Sequence, residues 1–240
     1  QVTGLGVISL APDLASTNWQ VSVPMSLVDG QPQFLTLGQP VISPDGSTIG
    51  IGGNAMGTDG VLDPNAAIFR VAADGSGTHR SVQAAVDAVP DGSAKRFVIA
   101  IRPGTYREKL CVRNKGPLVL MGDPEDAAAV VIVAGSWNAQ PKRAGVDAAH
   151  PCFPDLPAAT HGTPGSASVV FASDDFTAAH LTIANDAMDK VKAGVGYPEG
   201  ASESGGAQAV ALMTMGDRIL LEGVRLLGHQ DTLHTRQRVF

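Results

Sequence analysis

Short apolar runs recur along this chain, and turn residues separate them. Val210–Met213, Ile219–Leu221 and Val224–Leu227 are punctuated by Gly216-Asp217 and Gly223. Runs this brief are too short for helices, so they predict short strands joined by tight turns. Phe69–Ala72, Leu110–Val112, Leu118–Met121 and Val130–Val133 repeat the pattern. Phe97–Ile101 is almost wholly apolar, as expected of a strand buried on both faces. Leu181 and Ile183 alternate with His180, Thr182 and Ala184. That period of two predicts a half-buried strand, ended by Asn185-Asp186.

One segment has the other period. Val82, Ala85, Val86 and Val89 fall at i, i+3, i+4 and i+7 and make one apolar face of a helix. Ser81 is placed to cap its N-terminus, and Pro90-Asp91-Gly92 ends it. So short a helix is stable only with that face buried, so it is expected to cap the end of a larger β structure. The strands recur at steps of roughly 10 to 25 residues, without helices long enough for βαβ units. The fold class is therefore all-β, either a sandwich or a parallel β-helix, and the pattern alone leaves both open. Residues 1–66 are rich in Gly, Pro, Ser and Thr and read as an irregular N-terminal extension with a few short strands. Residues 67–240 read as the main domain. Two long loops interrupt it, Gly135–Gly165 and Ala187–Gly206, and loops of that length are often functional walls.

Composition narrows the function. Charged residues make up 17% of the 240, aromatics 5%, and there are 28 glycines, which suits strands and turns better than a helical bundle. A net charge of −6 without a Lys/Arg stripe excludes nucleic acid as a partner and argues against electrostatic capture of a polyanion. No apolar run reaches the length of a membrane span. Cys111 and Cys152, if bonded, would close a loop of roughly 40 residues, worth about 4 kcal/mol; two buried thiols are the alternative. Asp74-Gly75-Ser76-Gly77-Thr78 lacks the Lys-Ser/Thr ending of a phosphate loop. No G-x-S-x-G is present, which argues against a serine esterase. His150, His161, His180 and His229 lack metal-ligand spacing, so neither metal nor cofactor is expected. The chain begins at Gln1, as expected of a processed product or a fragment.

The candidate chemistry lies near the end. Gln208 precedes the first of the last three runs; Gln230 and Asp231 follow the third. Two neutral amide donors beside a carboxyl group can polarise a carbonyl and shuttle a proton. Four segments in order carry a resemblance: VAADGSGTHRSVQAAVDAVP from Val71, PGTYREKLCVRNKGPLVLMGD from Pro103, QAVAL from Gln208, and GHQDTLH from Gly228. Together they resemble the pectin methylesterases, or pectinesterases. The resemblance implies a right-handed parallel β-helix, related to the pectin lyases, with an external cleft. It implies hydrolysis of methyl esters in homogalacturonan, the pectin backbone, by a two-aspartate covalent mechanism. Asp231 would be the general acid and then base, a role that needs a raised pKa. Gln230 and Gln208 would hold the oxyanion, with Gln208 also binding the ester. Ser168 would contact substrate where many members carry threonine. Trp137 and Tyr197 would either stack on sugar rings or pack their loops.

The resemblance also implies a nucleophilic aspartate, an arginine and a tryptophan on a following coil. The chain stops at Phe240, before them. A β-helix incomplete at its C-terminus is therefore expected: a piece of a longer enzyme, or an inactive relative, with no turnover by these 240 residues alone. A monomer acting outside the cytoplasm, secreted or in the cell envelope, is expected. The rival readings are a non-catalytic polysaccharide-binding or envelope protein on the same scaffold, and an esterase of another ester such as a thioester.

Overall fold

The computed structural model describes residues 67–143, 149–155 and 157–236, together with the backbone of eight short strands between residues 3 and 63. The chain divides into two units, Gln1–Pro64 and Asn65–Phe240. In the first, four antiparallel pairs are formed: β1 (Thr3–Ile8) with β2 (Trp19–Pro24), β3 (Leu27–Val28) with β4 (Gln31–Pro32), β5 (Pro40–Ile42) with β6 (Ile49–Ile51), and β7 (Ala55–Met56) with β8 (Leu62–Asp63).

The second unit is built from coils, each turning through three strands. β9 (Ala67–Val71) leads in. The first coil is β10 (Phe97–Ile101), β11 (Gly104–Arg107) and β12 (Leu110–Arg113). β13 (Leu118–Met121), β14 (Val130–Ala134) and β15 (Val169–Ala172) make the second, and β16 (Phe176–Ala179), β17 (Thr182–Asn185) and β18 (Leu212–Thr214) the third. β19 (Leu220–Glu222), β20 (Arg225–Leu227) and β21 (Leu233–Thr235) make the fourth. Each strand pairs in parallel with its counterpart one coil away, giving three sheets: β9-β10-β13-β16-β19, β11-β14-β17-β20 and β12-β15-β18-β21. This is a parallel β-helix, and it resolves the choice that periodicity left open.

The register stacks like on like. Ile99, Leu120 and Ala178 lie in one column and are fully buried. Each large aliphatic side chain buried in this way contributes about 1.5–3 kcal/mol. Phe171 and Phe176 bring their ring centroids to 3.7 Å across the corner between the third and first sheets. Helix α1 (Val82–Ala88) closes the base with Val82, Ala85 and Val86 buried, and the Ser81 hydroxyl accepts from the Ala84 N–H. Its Gln83 side chain pairs with both backbone groups of Cys111, so the helix satisfies the edge of the first coil. The Glu108 carboxylate accepts from the N–H groups of Val82 and Gln83, each at 2.8 Å, where helix-terminal amides need an acceptor.

Gly104–Arg107 is a strand that no apolar run signalled, and one expectation changes. The segment through Leu181 and Ile183 is buried on both faces: Thr182 is 1% exposed and its hydroxyl donates to the Ala127 carbonyl at 2.7 Å. The segment before β14 covers that face, so polar–apolar alternation there does not report solvent.

Candidate active site

Every coil passes from the second sheet to the third through one corner, and that corner differs in each coil. It takes Glu108 and Lys109 in the first, residues 135–168 in the second, 186–211 in the third and 228–232 in the fourth. Both long loops expected from sequence therefore leave at the same edge, beneath the fourth-coil turn that carries Gln230 and Asp231.

That turn is tight. Asp231 has φ 58°, in the left-handed region that aspartate tolerates better than most residues. The Thr232 hydroxyl donates to the His229 carbonyl at 3.1 Å. Asp231 is exposed. Gln208 forms a parallel bridge with Gln230, and the Ala209 N–H donates to the Gln230 carbonyl at 3.0 Å. Paired residues on neighbouring parallel strands project to the same side about 4.8 Å apart. The fold therefore brings Gln208, Gln230 and Asp231 together.

Gln208 is half-buried, and its Oε1 is enclosed without a hydrogen-bond partner. An acceptor left that way costs about 1–3 kcal/mol. Two side-chain NH₂ groups beside a carboxyl make a set able to hold an oxyanion and exchange a proton with a leaving group.

The support beneath is closely tied. The Gln208 carbonyl accepts from Asn138 N–H at 2.8 Å, and the Gly206 carbonyl from Ala139 N–H at 3.1 Å, so the two loops are zipped together. Trp137 Nε1 donates to the Glu199 carbonyl at 2.9 Å, and Arg143 pairs with the Glu199 carboxylate. Trp137 and Tyr197 pack around Met188, Ala207 and Ala209, as the loop-packing reading of these aromatics expects. Cys111 and Cys152 are bonded, with Cα atoms 5.3 Å apart, and Arg113 donates to the Cys152 carbonyl. The second-coil loop is thereby fixed to β12. His150, buried in that loop, accepts from the Cys152 N–H at 3.0 Å. Burial, reinforced by Lys109 and His161, pushes its pKa down to about 3.

Ser168 is placed differently from the expected substrate contact. It is fully buried, and its hydroxyl bonds both backbone groups of Ala134, at 3.1 and 3.2 Å. It ties the third sheet to the second inside the coil. Sequence reading missed Asn185, which it took only for the end of a strand. Asn185 is 2% exposed; its NH₂ donates to the carbonyls of Ser136, Ser166 and Val210 at 2.9, 2.9 and 3.0 Å, and its Oδ1 accepts from Ala187 N–H. One side chain thus joins both loops to the strand that follows Gln208. No local pattern signals this, because the three carbonyl partners are 19 to 49 residues away.

The pectinesterase family model matches residues 68–150. A Ralstonia solanacearum pectinesterase is 34% identical over 168 residues, covering 69% of this chain and 39% of that protein. The chain belongs to the pectinesterase family. It spans about two fifths of the length of the curated pectinesterases it matches. Among solved structures, the Erwinia chrysanthemi pectin methylesterase PemA superposes with a TM-score of 0.53 at 28% identity, over 70% of this chain and 45% of that one. A pectin methylesterase solved in complex with a hexasaccharide superposes with a TM-score of 0.54, at the same identity and coverage. These neighbours share the parallel β-helix, and Gln208 of QAVAL bridges Gln230 of QDTL at its open corner.

Proposed function

We propose that this chain carries part of a pectin methylesterase site, hydrolysing methyl esters of galacturonate residues to methanol and free carboxylate. The observation that carries this reading is the Gln208–Gln230 bridge with Asp231 next in the chain. A carboxylate nucleophile attacks the ester carbonyl carbon, and the two glutamine NH₂ groups hold the oxyanion. Asp231 protonates the departing methoxide as the acyl intermediate forms. It then takes a proton from the water that cleaves that intermediate and returns the nucleophile. No described residue is assigned as the nucleophile: Asp186, another carboxylate at this corner, has both oxygens on the Arg107 guanidinium. The 240 residues are therefore expected to bind esterified oligosaccharide without turning it over. The reading also places the protein outside the cytoplasm, supported by the Cys111–Cys152 bond, since disulfides persist in oxidising compartments.

Methanol release from methyl-esterified pectin by the intact natural protein tests this. Asp231→Asn is expected to lower turnover by at least about 100-fold, and Gln230→Ala by about 100-fold, with stability retained. Unchanged turnover in Asp231→Asn would overturn the assignment.

A further inference from the structure

At the same corner as the bridged glutamines, an ion pair reaches from the first coil to the third. Arg107 ends β11 in the first coil, and Asp186 follows β17 in the third. The guanidinium reaches Asp186 with Nη1 and Nη2. Between them, in the second coil, stands Gly135. A Cβ there would sit 2.5 Å from Asp186 Oδ1, so only glycine lets the pair close across the intervening coil.

Asp186 lies on the same corner as the site. The Asp186 N–H continues the ladder, donating to the Ala134 carbonyl at 3.1 Å. In the fourth coil Leu227 pairs with Ala184, so two residues further on His229 follows in line with Asp186, immediately before Gln230. On the other side, Asn185 bonds the Val210 carbonyl, two residues from Gln208. The guanidinium has five N–H groups, and Asp186 engages two nitrogens from one side. The Arg107 side chain is 62% exposed. Its remaining donors are therefore open to solvent, held in a fixed orientation by a carboxylate on a strand end. Its charge is secured, because the Asp186 hydrogen bond and charge raise the Arg107 pKa.

Ester hydrolysis at the bridged glutamines converts a neutral methyl ester into a uronate carboxylate. An oriented guanidinium fork is the side chain best matched to that planar anion. We propose that Arg107, held by Asp186 across Gly135, is a subsite for the free carboxylate of a uronate ring, so that the chain binds partly de-esterified pectin through a residue already demethylated. This rests on the function proposed above and adds a specificity-determining residue to it.

The test is titration of the 240-residue chain at low salt with short oligogalacturonides, either unesterified or fully methyl-esterified. Arg107→Gln is expected to weaken binding of the unesterified oligomer about fivefold to tenfold, and of the esterified one less than about twofold. Arg107→Lys keeps the charge without the fork and should fall between. Arg218→Gln, in the ion pair with Asp175 at the turn between the third and first sheets, should leave both affinities unchanged. Unfolding curves matching the parent chain separate a lost contact from a lost fold. An equal effect of Arg107→Gln on both oligomers, or none on the unesterified one, would overturn the subsite while leaving the ester site standing. Binding of neither oligomer by the parent chain would overturn both.

Discussion

Two corners of the same β-helix use the backbone alike and the side chains differently. Between the third and first sheets, three successive turns repeat one conformation: Asn114, Asp175 and Arg218 have φ of 55°, 55° and 56°. They nest so closely that a Cβ on Gly216 would lie 2.1 Å from the Ser173 carbonyl oxygen. Their polar groups bond one another: Ser173 Oγ accepts from Lys115 N–H, Asp174 from Asp217 N–H, and Asp175 holds Arg218 through two nitrogens. At the corner between the second and third sheets the turn conformation returns at Asp231, φ 58°. Here the coils below open into loops, Asp231 is exposed, and Gln208 keeps an enclosed acceptor unbonded. A corner whose polar groups satisfy each other is scaffold. One that leaves such a group unsatisfied at an energetic cost is arranged for something else.

The comparison can be broken most easily at the supports of the open corner. Replacing both Cys111 and Cys152 by serine should lower unfolding free energy in urea by about 4 kcal/mol; no loss would mean that the second-coil loop is held without the bond. Asn185→Ala removes a donor from three buried carbonyls, of which Val210 keeps the Ser168 N–H, and about 3 kcal/mol should be lost. Acid should act at the same place. His150 has a folded pKa of about 3, below the ordinary 6.5, so the unfolded chain binds the proton more readily. Its stabilising contribution is complete above pH 6.5 and is lost as pH falls toward 3. Near pH 5 the slope should approach about 1.4 kcal/mol per pH unit. Denaturant titrations from pH 7 to 4 should show it, and His150→Gln should flatten it. Gln208→Met removes the enclosed acceptor and should raise stability by about 1 kcal/mol while abolishing ester binding. A destabilised Gln208→Met chain would make Gln208 scaffold, like the opposite corner. The smallest effect belongs to that opposite corner: Arg218→Ala, in an exposed ion pair, should move the thermal midpoint by less than about one degree.

Much of this was legible in the sequence because a β-helix writes each strand as its own apolar run. Phe97–Ile101, Leu118–Met121 and Val130–Val133 were readable as strands, and Ser81 as the cap of α1, from neighbours alone. The three-sheet arrangement was not, since it depends on which run stacks on which, and only the family resemblance supplied it. Gln208, Gln230 and Asp231 were found through their motifs, and the parallel bridge explains their spacing of about one coil. What escaped was long-range. Asn185 and Ser168 look like surface polar residues until coils stack on both sides of them. Glu108 looks like an exposed charge until α1 places its N-terminal amides over it. The Arg107–Asp186 pair appears only once the coils bring residues 79 apart in sequence into contact.

One measurement bears most directly on whether the open corner is the ester site. The isotope-labelled 240-residue chain would be titrated with a short methyl-esterified oligogalacturonide while the side-chain NH₂ resonances of Gln208 and Gln230 are followed. Both should shift together and saturate, and Asn114 and its neighbours at the closed corner should stay still. Saturable shifts at the closed corner, with both glutamine amides unmoved, would contradict the assignment of the site.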